Sequence, residues 1–74
     1  MPNKDIRFEI IRHIGDLSAS SDKGWTKELN LVSWNGGAPK YDIRDWSEDH
    51  TKMGKGVTLT AEQARKFREL LAGI

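Results

Sequence analysis

"WTKELNLVSWNGGAPKYDIRDW", residues 25–46, decides the fold. Its first part, residues 25–34, sets Trp25, Leu29 and Leu31 at odd positions, with Thr26, Glu28, Asn30 and Trp34 at even ones. A period of two is the pattern of a strand whose two faces meet different surroundings. "NGGAP", residues 35–39, then supplies glycine for positive φ and a proline that cannot donate to a central ladder. "KYDIRDW", residues 40–46, alternates again, with Tyr41 and Ile43 odd and Lys40, Asp42, Arg44 and Trp46 even. Two strands joined by a short turn form an antiparallel pair. Trp34 and Trp46 both fall in the polar register, where the alternation predicts a side chain turned toward water.

The flanks extend this pair into a sheet. In "IRFEIIRHIG", residues 6–15, Ile6, Phe8, Ile10 and Ile14 share even parity, and Arg7, Glu9 and His13 lie between them. Ile11 and Arg12 interrupt the pattern, which implies a bulge or a strand with two working faces. "DLSASSDKG", residues 16–24, reads as a loop longer than a tight hairpin needs, of a kind that is often mobile and sometimes closes over a ligand. The charged "SEDHTKMGK", residues 47–55, is a second connection, and "GVTL", residues 56–59, gives a short fourth strand through Val57 and Leu59.

A helix comes next. Thr60 is a good N-cap, Gln63 three positions on completes a capping box, and Gly73 stands where a C-cap falls. Ala64, Phe67, Leu70, Leu71 and Ile74 make the apolar stripe, with Arg65, Lys66, Arg68 and Glu69 outside it. The fold class is therefore α+β: a four-stranded antiparallel meander followed by one C-terminal helix, ββββα, as a single domain over residues 1–74 with an ordered core of about 6–72. One helix cannot cover both faces of such a sheet. The face carrying Asn30, Trp34, Lys40, Arg44 and Trp46 is expected to stay open, to be covered by a partner subunit, or to bind something.

Composition narrows the function. There is no cysteine, hence no disulfide framework and no thiolate zinc site. No apolar run reaches the ~18 residues of a membrane span. "MPNKDIRFEI" lacks a signal-peptide pattern, so a cytoplasmic location is expected, with no membrane partner. Twelve Lys and Arg against 11 Asp and Glu leave a net charge of +1, too little for a protein that coats duplex DNA indiscriminately. Positive charge must then be concentrated on one face.

The even face offers such a site. Aromatic rings stack on unpaired bases, because every base has a π-face, and cations hold the phosphates between them. Trp34 and Trp46 supply rings, and Lys27, Lys40, Arg44, Lys52 and Lys55 supply charge. Against this stands the ordinary role of tryptophan in closing a small core, which suits Trp25 best. Asp42 and Arg44 share a face and could simply pair, a weak contact at a surface. "MGKG", residues 53–56, lacks the order of a phosphate-binding loop. Asp45, Asp49 and His50 have no metal-ligand spacing, His13 reads as a rim histidine, and nothing argues that Ser33 meets His50 as a nucleophile–base pair. No catalytic residue, metal or cofactor is expected.

"KELNLVSWNGGAPKYDIRDW" and "MGKGVTLTAEQARKFREL" together resemble the transcriptional coactivator positive cofactor four family, and are similar to its short bacterial, YdbC-like members. The resemblance spans roughly residues 6–72 and rests on "YDIRDW", "GKGVTL" and "TAEQ". It implies a symmetric homodimer that binds single-stranded or melted DNA with little sequence preference, in transcription or single-strand handling. It implies base stacking at Trp34 and Trp46, and phosphate contacts at Lys27, Arg44 and Lys55, with Lys40 and Lys52 less closely matched. Phe67, Leu70 and Leu71 match the helix that packs the core and the dimer interface. "NGGAP" is less basic than the corresponding hairpin of eukaryotic relatives, whose serine-rich regulatory arm has no counterpart in this sequence. The alternatives are an RNA-binding module and a protein–protein adaptor using the same tryptophans.

Overall fold

The structure, a computed structural model, describes residues 7–19 and 24–74. Ile6 and residues 20–23 of the expected loop lie outside the described residues. Four strands, β1 (Phe8–Asp16), β2 (Thr26–Trp34), β3 (Lys40–Trp46) and β4 (Met53–Leu59), precede the helix α1 (Ala61–Ala72). They form one antiparallel sheet in the order β1-β2-β3-β4, the expected meander.

Local chemistry explains the joints. At the end of β2, Asn35 and Gly36 both take positive φ (52° and 76°), and the Gly37 N–H donates to the Trp34 carbonyl at 2.9 Å. Two left-handed residues in succession match the right-handed twist of the strands they join. Ser33 Oγ donates to the Gly37 carbonyl at 2.7 Å and so spends its hydroxyl on the turn. The helix begins at the expected capping box: Gln63 N–H donates to Thr60 Oγ1 at 3.1 Å, and Thr60 N–H donates to Gln63 Oε1 at 3.0 Å. Gly56 lies so close under Arg44 that a Cβ there would overlap the Arg44 Cβ and the Ile43 carbonyl oxygen. Only glycine lets β4 approach β3 at that point.

β1 carries two irregularities, between Ile10 and Arg12 and between His13 and Gly15. Each adds one residue and reverses the parity of the residues beyond it. Phe8 pairs with Trp34 and Ile10 with Val32, but His13 then pairs with Asn30 and Asp16 with Glu28. His13 therefore lies on the same face as Phe8, which strict alternation had denied it.

The sheet is strongly coiled. Trp34 ends β2, and Trp46 pairs with Thr26 at its start, a separation of roughly 26 Å along a flat strand. Yet the Phe8 ring, opposite Trp34, has its centroid 5.0 Å from that of Trp46. The even face is thus the inside of a curl. It holds Val32 and Trp46, the buried hydrophobic residues among those described, and also Glu28, Asn30 and Asp42.

That reverses the expected distribution of burial. Leu29, Tyr41, Ile43 and Leu59 do face the helix and line a groove with Phe67 and Leu71. But no helix residue is buried: Phe67, Leu70 and Leu71 are 43%, 61% and 51% exposed. Within one chain these three are rim residues rather than core, because α1 lies along the groove without filling it.

Candidate nucleic-acid interface

Five side chains from β1, β2, β3 and the β3–β4 connection form a column on the concave face. The Arg44 guanidinium carbon lies 4.8 Å from the centre of the Trp34 ring. Trp34 and Phe8 are 6.1 Å apart between centroids, Phe8 and Trp46 5.0 Å, and Trp46 and His50 5.5 Å, with interplanar angles of 41–50°. Such spacings and tilts are favourable for aromatic pairs, and a guanidinium over an indole face adds a cation–π attraction. The expectation that both tryptophans face water holds in part. Trp34 is half-buried, whereas Trp46 is fully enclosed, because the curl brings Phe8 to one side of it and His50 to another. The indole Nε1 atoms of both tryptophans are buried and find no acceptor among the described residues. Each such donor costs about 1–3 kcal/mol relative to a paired one.

The cations divide into two groups. Arg44 is held by Asp42, its Nε donating to Oδ2 at 2.7 Å and its Nη2 to Oδ1 at 2.9 Å. Thr58 Oγ1 donates to the same Oδ1 at 2.9 Å, and Asp42 is fully buried. This is a buried two-pronged pair, not the weak surface contact expected. The charge of Arg44 is thereby balanced within the chain, while its guanidinium lies over the Trp34 ring. Lys27 Nζ lies 3.1 Å from Asp45 in a half-exposed pair. Lys40, Lys52 and Lys55 are exposed and form no ion pair among the described residues.

Beside the column runs a chain of hydrogen bonds that sequence reasoning did not find. His50 Nε2 donates to both oxygens of Glu28, at 2.9 and 3.0 Å, with His50 in a left-handed backbone conformation (φ 59°). Asn30 Nδ2 donates to Glu28 Oε1 at 3.0 Å, which fixes its amide so that Oδ1 faces His13 Nδ1 at 2.6 Å. His13 Nε2 lies 3.1 Å from Asp16 Oδ1. Both imidazole nitrogens face acceptors, an arrangement satisfied by the doubly protonated ring. The His13 pKa is accordingly raised, first by the Asn30 hydrogen bond and then, against some desolvation, by the charges of Glu28 and Asp16. Asp49 is lowered by hydrogen bonds from the Thr51 side chain and backbone and from Ser47. Of this chain, only the His13–Asn30 link had a cue in the sequence, the irregularity of β1 that brings His13 over Asn30.

The remaining candidates are dispersed. Asp45 turns to Lys27, Asp49 to Ser47 and Thr51, and His50 to Glu28, so they converge on no common point. His13, Asp16 and Glu28 do have ligand atoms within 4.8 Å of one another. Asp16 faces Nε2 of His13 and Glu28 lies 3.5 Å from Nδ1. Ser33 and His50 have separate partners. Trp25, expected in the core, is half-buried beside the 47–52 connection.

The fold is thus a four-stranded antiparallel meander with one capped C-terminal helix, carrying an Arg44–Trp34–Phe8–Trp46–His50 column on its concave face. Comparisons with known proteins identify its family. The family model of transcriptional coactivator p15 (PC4) matches residues 21–70. An uncharacterized protein of Treponema pallidum (strain Nichols) is 52% identical over 69 residues, covering 93% of this chain and 80% of its own length. The chain belongs to the transcriptional coactivator p15 (PC4) family. That is a non-enzymatic family that binds single-stranded DNA, and membership suggests a DNA-binding, coactivator-like role. Among the described residues, no helix is long and apolar enough to cross a membrane.

Proposed function

We propose that this chain is a bacterial single-strand-binding protein of low sequence preference that acts on melted or single-stranded DNA as a symmetric homodimer, within transcription or single-strand handling. The observation that carries the reading is the column Arg44–Trp34–Phe8–Trp46–His50 on a concave face, together with the exposed Lys40, Lys52 and Lys55. Trp34 is the accessible stacking platform, Trp46 the deeper one, and Arg44 orients Trp34. Lys40, Lys52 and Lys55 contact phosphates; Lys27 joins them by exchanging Asp45 for a phosphate. The second subunit covers the half-open groove of Leu29, Tyr41 and Ile43, whose helical side is Phe67 and Leu71, and also the exposed Leu70 of the same helix.

Substitution tests the assignment. Trp34→Ala weakens oligo-dT binding by about 1–3 kcal/mol while the circular dichroism spectrum is retained. Lys55→Ala weakens binding to every sequence alike and reduces the salt slope by roughly one phosphate. Full affinity in a folded Trp34→Ala protein would remove the stacking site, and an unchanged slope would remove Lys55 from the phosphate path.

A further inference from the structure

We propose that Phe8 occupies, in the free chain, the place that a nucleobase takes between Trp34 and Trp46, and that binding requires its ring to swing out. The inference rests on the single-strand reading above and adds a residue and a step to it. Phe8 is the only member of the column that contacts both tryptophan rings, and Trp46 has no exposed surface while that ring is in place.

The two indole N–H groups give an independent reason. Both are buried and lack an acceptor among the described residues. A phenyl ring offers no lone pair in the ring plane, whereas every nucleobase carries carbonyl or ring-nitrogen acceptors. A base in that position lies between the same two rings that Phe8 touches in a tilted arrangement, and also brings acceptors to two indoles whose donors are unsatisfied.

The backbone allows the exchange without unravelling β1. Arg7 N–H donates to Asn35 Oδ1 at 2.8 Å, Asn35 N–H donates to the Arg7 carbonyl at 2.7 Å, and Phe8 stays in register with Trp34. The chain is pinned beside Phe8, so the side chain moves alone, by a rotamer change. β1 is the outer strand of the sheet, with no further strand beyond it among the described residues.

Proton NMR of the wild-type chain tests this without any substitution. In the free protein, ring currents from the two tryptophans hold the Phe8 ring resonances upfield. At saturation with oligo-dT they move to ordinary aromatic positions, and the Trp34 and Trp46 indole N–H signals shift as they gain acceptors. Phe8→Ala gives a second readout in a Trp25→Phe background. Without nucleic acid, acrylamide quenching rises about twofold as Trp46 becomes accessible. With oligo-dT, Kd falls roughly fivefold, because the base no longer competes with a ring held by two aromatic contacts. Phe8 resonances that stay upfield at saturation, or weaker binding by a folded Phe8→Ala protein, overturn the proposal and leave single-strand binding standing. Absence of binding by both wild type and Phe8→Ala ends both readings.

Discussion

On the concave face of the sheet, polar and aromatic side chains bury one another, while on the convex face aliphatic side chains lie half in water. Asn30, Asp42 and Trp46 have no exposed surface, yet Val57, Phe67, Leu70 and Leu71 are each more than two-fifths exposed. In a self-sufficient small domain the aliphatic face would close first, since burying one such side chain contributes about 1.5–3 kcal/mol. The two faces are thus held together in different ways. The concave face is fixed within one chain by directional bonds such as Asp42–Arg44 and Glu28–His50, which hold rings at set positions. The convex face is not closed within one chain, and the proposed homodimer would cover it with the same apolar face of a second copy.

The contrast between the faces breaks most sharply at Asp42. Replacing it with alanine leaves Arg44 partly buried without its counter-charge, and unfolding in urea should show a loss of about 3–5 kcal/mol. A loss below about 1 kcal/mol would mean that the concave face is held by its rings rather than by its charges. Next comes the convex face. Leu71→Asp should leave the sheet's own hydrogen bonds intact but make sedimentation report a monomer at concentrations where the wild type is dimeric. A wild type that sediments as a monomer at every concentration would contradict the proposed second subunit. The smallest effect concerns His13. Its folded pKa is raised, so its contribution is fully present below the unfolded value of about 6.5 and is lost as pH rises through the folded value. Thermal melts should therefore decline slightly across that window, and His13→Gln should remove the slope.

Much of the fold was legible because its signals are local. The alternation in residues 25–46, the Asn35–Gly36 turn and the Thr60–Gln63 box each act within a few residues. Parity also placed Trp34, Arg44 and Trp46 on one face, as found. What parity does not encode is curvature. The same face that would be open in a flat sheet encloses Trp46 in a coiled one, and that change depends on contacts between residues as distant as Phe8 and Trp46. The bulges in β1 had a visible cue in Ile11 and Arg12, but not their consequence, the move of His13 onto Asn30. Asp42 and Arg44 were recognisable as possible partners; their burial, which turns a minor contact into a structural one, was not.

The most direct measurement is a tryptophan-fluorescence titration with oligo-dT at two salt concentrations, with matched duplex as competitor. Base stacking on the tryptophans should give quenching, affinity that falls steeply with salt as phosphate contacts exchange for ions, and little displacement by duplex. A folded protein that shows no quenching, or that duplex displaces as readily as single strand, would contradict it.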